Sequence, residues 1–222
     1  MVLFAIVGEL GSGKTLALTY LAWLNWYKKK RKIFSNYSFY GFPYTPIKNV
    51  TDLDSMKSGF FAGDELWLWV DSRTSKKERN RFVASILLKS RKRDITIAYT
   101  SQAISQIDKR IRQITDFIAY PLMSVDNRFC RIEVFRGPRP AISTRIKPPI
   151  YFVTEPVYAM FNTYEEVNII EEESKKLHKE VTIPITKNPA WIRYLKEIGV
   201  KNIERYSKRI YNAINGIGMR IG

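Results

Sequence analysis

The sequence predicts an α/β fold, a mostly parallel sheet with helices on both faces, followed by a small basic helical tail. Three observations carry that expectation. Residues 2–7 are an uninterrupted apolar run, the pattern of a strand buried on both faces. The run leads through a glycine-rich loop directly into a helical stretch from Lys14 to about Lys28. A second largely apolar run, residues 95–99, returns after an intervening helical pattern, as expected where strands alternate with crossover helices.

The loop after the first strand reads Gly8-Glu9-Leu10-Gly11-Ser12-Gly13-Lys14-Thr15 and fits the P-loop spacing G-x-x-x-x-G-K-[ST]. Each part has a physical task. Gly8, Gly11 and Gly13 let backbone N–H groups turn inward around phosphate oxygens, with Ser12 among them. The helix starting near Lys14 directs the positive end of its dipole at the same anion. Lys14 is placed to reach the β- and γ-phosphates, and the Thr15 hydroxyl to ligate Mg²⁺. A plain glycine turn between strand and helix is the simpler alternative, and the combined motif and context argue against it. The expected cofactors are therefore ATP and Mg²⁺.

The helix after this loop carries Leu16, Leu18, Leu21, Trp23, Leu24, Trp26 and Tyr27, apolar nearly all round, which predicts a place between the sheet and a second layer. Lys28-Lys29-Lys30-Arg31-Lys32 ends it with cations near the negative end of the dipole. Residues 33–39 read as a second strand, residues 44–49 as loop and residues 51–57 as a short helix. Next comes Gly59-Phe60-Phe61-Ala62-Gly63-Asp64-Glu65, a short apolar strand ending in two carboxylates, the form of a Walker B element. Asp64 would hold the metal's water shell and Glu65 would orient the attacking water. Gly63 departs from the pattern, because a bulky aliphatic usually stands there.

Ser75-x-x-Glu78 is a capping box opening a helix with Phe82, Val83, Ile86 and Leu87 on one face. The strand at 95–99 finishes in Thr100-Ser101-Gln102, and the carboxyl ends of parallel strands line the ligand crevice. Gln102 is accordingly expected beside the γ-phosphate. Residues 106–112 read as a cationic helix, 116–120 as a strand closed by Pro121, 128–136 as a strand with one exposed face, and 151–153 as the last strand. Residues 165–189, with Glu171-Glu172-Glu173 beside Lys175-Lys176 and then Pro184 and Pro189, look like a tether. The apolar spacing of Trp191, Tyr194, Leu195 and Ile198, then Ile203, Tyr206, Ile210, Tyr211 and Ile214, predicts two short helices around Gly199. The expected organisation is a P-loop ATPase domain at 1–168, a linker at 169–189 and a basic helical appendage at 190–222. Two roles are open for the appendage, a DNA-gripping module or a packing and assembly pair.

Composition narrows the partners. The chain has 222 residues, 37 Lys+Arg against 21 Asp+Glu and a formal net charge of +16, a surface that should attract a polyanion. Nucleic acid is favoured over anionic membrane, since no basic amphipathic helix with a clean apolar face stands out. One cysteine and one histidine exclude a disulfide framework and a zinc centre and fit a reducing compartment. The longest apolar helix is shorter than the roughly 20 residues of a membrane span. A first strand at the very N-terminus predicts no signal peptide.

Asp64-Glu65, Ser90-Arg91-Lys92-Arg93, Tyr99-Thr100-Ser101-Gln102 and Ile107-Asp108-Lys109-Arg110-Ile111-Arg112 together resemble the HerA/FtsK superfamily of ATPases. More narrowly, the chain looks like archaeal viral genome-packaging ATPases and zonula occludens toxin (Zot)-like proteins of filamentous phages. The Ile33-Phe34-Ser35-Asn36 and Met160-Phe161-Asn162-Thr163-Tyr164 stretches fit the same likeness, which covers about residues 1–168. The resemblance implies a RecA/FtsK-like core, a ring that is usually a hexamer, ATP at subunit interfaces and double-stranded DNA in the channel. It implies further that an arginine before the Gln-bearing strand reaches a neighbour's ATP; Arg91 matches best and Arg93 second. In other NTPases such an arginine is worth about 10³–10⁵ in rate. A capsid or portal protein as partner, and a place in the host cytoplasm or virion, follow from the same likeness.

The expected function is an ATP-driven double-stranded DNA translocase for viral genome packaging. A nucleotide or small-molecule kinase shares the loop but leaves the charge unexplained. A phage assembly or secretion ATPase is the third reading, and a GTPase is disfavoured because no N-K-x-D motif occurs.

Overall fold

The apolar run at the N-terminus forms the strand on which the sheet is centred. The computed structural model describes residues 2–49, 52–66, 94–137, 144–165 and 179–216. In chain order these form β1 (Leu3–Val7), α1 (Lys14–Lys29), β2 (Ile33–Ser35), β3 (Thr45–Pro46), β4 (Gly59–Gly63), β5 (Ile95–Ser101), α2 (Lys109–Ile114), β6 (Phe117–Met123), β7 (Phe129–Arg136), β8 (Arg145–Val153), α3 (Thr154–Tyr158), α4 (Pro189–Glu197) and α5 (Ile203–Gly216). Short 3₁₀ turns stand at Asp52–Ser55, Ile104–Gln106 and Ile185–Lys187. The eight strands make one sheet in the order β3-β2-β4-β5-β1-β6-β7-β8. The pairs from β3 to β6 are parallel, and β6/β7 and β7/β8 are antiparallel. This is the α/β, mostly parallel fold that the alternating pattern predicts.

Strand alternation divides the core in two. Leu3, Ala5 and Val7 of β1 face one side with Phe61, Ile97, Tyr99 and Ile118, closed by Leu53, Met56, Ile107 and Ile111. Ile6 faces the other side with Ala62, Ala98 and Ala119, whose small side chains let α1 lie close to the sheet. Tyr20 of α1 stacks on Phe152 of β8 at 4.1 Å, and on the other side of α1 a second layer forms, where Trp26 stacks on Phe42 at 5.6 Å and Trp191, Leu195, Ile210 and Ile214 join the same cluster. The all-round apolarity of α1 follows from this position between sheet and second layer. The two tail helices expected around Gly199 are α4 and α5; Trp191, Leu195, Ile203, Tyr206, Ile210 and Ile214 of the expected stripes belong to this core, whereas Tyr194, Ile198 and Tyr211 are exposed. Asn188 seats them: its amide donates to the carbonyls of Ala159 and Phe161 at 3.0 and 2.8 Å, and its oxygen caps the N–H groups of Ala190 and Trp191.

Several boundaries differ from the sequence reading. The strand expected over 33–39 pairs only to Ser35, because the Asn36 side chain turns to the backbone of Asp64. Phe39 and Tyr40 then make single bridges to Phe161 and Ile183. Residues 45 and 46, expected in a loop, form the edge strand β3, a place where Pro46 costs no ladder bond. β6 does not stop at Pro121 but runs to Met123, since its pairing with β1 ends at Ala119 and leaves residue 121 without a neighbour on that side. β8 starts at Arg145, six residues before the expected strand, and tolerates Pro148 and Pro149 as an edge strand. The cationic helix begins at Lys109, where Asp108 caps it by accepting from Arg110 N–H at 2.8 Å. The five-residue helix α3 has no counterpart in the sequence reading. Within the expected tether, Val181 pairs with Tyr44 and Ile183 with Tyr40. The capping-box helix at 75–93, with Arg91 and Arg93, and the acidic run at 171–173 lie outside the described residues.

Candidate functional site

The site forms where three neighbouring strands end. β5 lies between β4 and β1, with Gly63 opposite Tyr99 and Ser101 opposite Val7. The P-loop that follows β1 and the carboxylates that follow β4 are thus brought to the two sides of one strand end. This is the carboxyl edge of a parallel sheet, where α/β folds place their ligands.

Gly13 caps the N-terminus of α1 with φ of 88°, in the left-handed region where a Cβ is strained, and that Cβ would stand 2.9 Å from the Met123 sulfur. The positive φ is the ground for glycine here, and the Met123 side chain would in addition have to shift. A Cβ on Gly8 would meet Ser12 Oγ at 2.5 Å. Ser12 Oγ is itself buried without a hydrogen-bond partner, so the loop holds an unsatisfied hydroxyl beside the space that Gly8 leaves open. That arrangement suits phosphate oxygens. Lys14 is 8% exposed, and its Nζ donates to the Glu9 carbonyl at 2.8 Å. Burial lowers its pKa, and the nearby Asp64 and Glu65 carboxylates oppose that shift.

Asp64 is the most heavily coordinated residue of the site. Thr15 Oγ1 donates to its carboxylate at 3.0 and 3.2 Å, and Thr100 Oγ1 donates to Oδ1 at 2.6 Å. The Asn36 side chain accepts from the Asp64 N–H and donates to its carbonyl, both at 2.7 Å. Burial raises the Asp64 pKa, and the Thr100 and Thr15 hydrogen bonds counter it. A carboxylate and a hydroxyl in contact at the head of α1 are the oxygen donors a hard divalent cation takes, so the residues fit Mg²⁺.

Glu65 is held in the left-handed region at φ of 45°, uncommon for a residue with a Cβ. Its N–H donates to Thr100 Oγ1 at 2.7 Å, so one buried hydroxyl fixes both acidic residues. Gly63 also finds its reason here: a Cβ would stand 2.9 Å from Leu66 Cδ1 and 3.2 Å from the Phe61 ring. The turn through Glu65 folds Leu66 back over the strand end and occupies the space of the usual aliphatic.

The structure thus brings Lys14, Thr15, Asp64 and Glu65 together. Gln102 follows directly on β5, is exposed and makes no hydrogen bond among the described residues. Arg91 and Arg93 are outside those residues. Sequence reasoning missed two positioning groups, Thr100 and Asn36. Both are polar residues at the end of a short apolar run, which is the signal that could have found them.

No protein-family model matches the sequence, and no curated protein matches it. The strand–P-loop–helix unit, with the Asp64 and Glu65 carboxylates placed across β5, makes this an α/β P-loop fold. Among solved structures the chain is similar to the N-terminal domain of zonular occludens toxin from Neisseria meningitidis (18% identity, 73% of this chain and 100% of that one, TM-score 0.47). It is similar also to the genome packaging NTPase B204 of Sulfolobus turreted icosahedral virus 2 (8% identity, 66% and 97%, TM-score 0.46). A third is the pCW3 conjugation coupling protein TcpA (12% identity, 65% and 59%, TM-score 0.44).

Proposed function

We propose that the chain is an ATPase that translocates double-stranded DNA, with viral genome packaging as its setting. The observation that carries the reading is the contact of Thr15 and Asp64 at 3.0 Å, a P-loop hydroxyl against a Walker B carboxylate at the head of α1. In this proposal the backbone of Gly8, Gly11, Ser12 and Gly13 cradles the phosphates of ATP, and Lys14 neutralises the β- and γ-oxygens. Thr15 and Asp64 would hold Mg²⁺, which supplies charge stabilisation as the phosphoryl group departs. Glu65 orients the attacking water, and its fixed backbone keeps that carboxylate in place. Gln102, at the end of β5, couples the γ-phosphate to movement. Arg91 or Arg93 acts on the ATP of a neighbouring copy in a ring. The net charge of +16 supports a phosphate backbone as the track, gripped without reading sequence.

The test is ATP hydrolysis measured with and without duplex DNA, with Lys14→Ala as the inactive control. Stimulation by duplexes of unrelated sequence supports a motor. A hydrolysis rate indifferent to DNA at every concentration would sink it. A strictly monomeric mass with ATP analogue and duplex present would remove the arginine in trans.

A further inference from the structure

Helix α5 is divided cleanly along its length. Ser207, Ile210 and Ile214 are buried and Ile203 and Tyr206 half-buried, while Arg205, Lys208, Arg209 and Asn212 are exposed. These four fall at i, i+3, i+4 and i+7, one stripe away from the buried side, with exposed Glu204 and Tyr211 at its borders. The inner side is tied down: Trp191 Nε1 donates to Ser207 Oγ at 3.1 Å, and the Tyr206 hydroxyl donates to Glu155 of α3 at 2.6 Å. The outer cations are not tied. Arg205, Lys208 and Arg209 have no ion-pair partner among the described residues, whereas Arg193 of α4 is engaged by Glu197 at 3.0 Å.

Contrary to the sequence reading, which found no basic amphipathic helix, α5 is one; such a helix attracts either a membrane surface or a polyanion, and the packing separates the two. Insertion into a bilayer interface needs the apolar side of the helix. Here Ile210 and Ile214 share one core with Trp191 and Trp23, so that side is already used. What remains outside is a mainly cationic stripe, bordered by exposed Glu204 and Tyr211. We infer that the outer stripe of α5, Arg205, Lys208 and Arg209, binds the phosphodiester backbone of duplex DNA. The inference deepens the DNA reading above and rests on it, assigning the contact to the tail rather than to the nucleotide edge. Each cation displaces counterions from the duplex, and none reads a base.

The experiment measures the affinity of the full chain for a labelled random-sequence duplex across a salt series. Three proteins are compared: wild type, Arg205→Gln/Lys208→Gln/Arg209→Gln, and the charge-preserving Arg205→Lys/Lys208→Arg/Arg209→Lys. Losing three phosphate contacts should weaken binding by about two orders of magnitude at 0.1 M salt and lower the slope of log K against log salt by about three. The charge-preserving protein should keep both, and all three should share one thermal midpoint, which separates lost charge from lost fold. Equal affinity and slope for wild type and the glutamine variant overturns the assignment to α5, while ATP hydrolysis still judges the nucleotide site on its own. Wild-type capture by phosphatidylserine vesicles without duplex binding overturns it in favour of a membrane.

Discussion

The hydroxyl of Thr100 stands 2.6 Å from Asp64 Oδ1 and 2.7 Å from the N–H of Glu65, so a single side chain on β5 holds both acidic residues of β4's end. Thr100→Val keeps the shape and removes both bonds, leaving a buried carboxylate oxygen and a strained N–H short of partners. The expected loss of stability is about 1–3 kcal/mol by urea unfolding. ATP hydrolysis should fall at least about tenfold while ATP-analogue affinity stays near wild type, since the loop residues are untouched. Thr100→Ser restores the hydroxyl and should recover the rate. Hydrolysis unaffected by the valine would show that the clamp does not serve the chemistry.

Asp64 makes stability depend on pH in a defined direction. Burial raises its folded-state pKa above the unfolded value of 3.8, so the charged form is disfavoured in the native protein. Its contribution to stability is fully present below the unfolded pKa and is lost as pH rises through the folded pKa. Asp64→Asn removes the titration and keeps an acceptor for Thr100. Nucleotide-free Asp64→Asn should therefore be the more stable protein at pH 7, and the gap should narrow as pH falls through the folded pKa toward the unfolded one. Urea unfolding of both proteins from pH 7.5 down to pH 4 reads this, and a constant gap would contradict it. The variant should not hydrolyse ATP.

Trp191 is 1% exposed and joins α4, α5 and the cluster around Trp23. Trp191→Ala should cost about 3–5 kcal/mol, read as a lower urea midpoint with an unchanged slope. Deleting residues 189–222 should expose the outer side of the α1 layer and yield an aggregating protein by light scattering. A soluble, cooperatively folding truncation would show that the second layer is dispensable.

Gly63→Val places a branched aliphatic where Leu66 and the Phe61 ring already stand. Overpacking of this kind costs about 1–3 kcal/mol, and the Glu65 turn should shift with Leu66. The expected readout is lower thermal stability together with slower ATP hydrolysis. A more stable Gly63→Val would mean that the turn adapts freely.

By itself the sequence determined the strand–loop–helix unit around Lys14, the apolar strands at β4 and β5, and the inward faces of α4 and α5. These are local matters: glycine spacing, runs of apolar residues and helical periodicity need only a few neighbouring residues to be read. Element ends depart from the local pattern where proline meets no ladder partner or a side chain leaves the sheet early, as at Pro46 on the edge strand, Pro121 beyond the end of the β1 pairing and Asn36. Tertiary structure alone decided that Thr100 and Asn36, 36 and 28 residues from Asp64, would fix it in place. It alone decided what the tail's apolar stripe would cover, and so which cations of α5 would remain outside. The physical reason is the same in both cases. Such contacts exist only once β5 is inserted between β1 and β4 and the chain end has closed over α1, and strand order and layer packing arise from pairings between distant segments that no local pattern encodes.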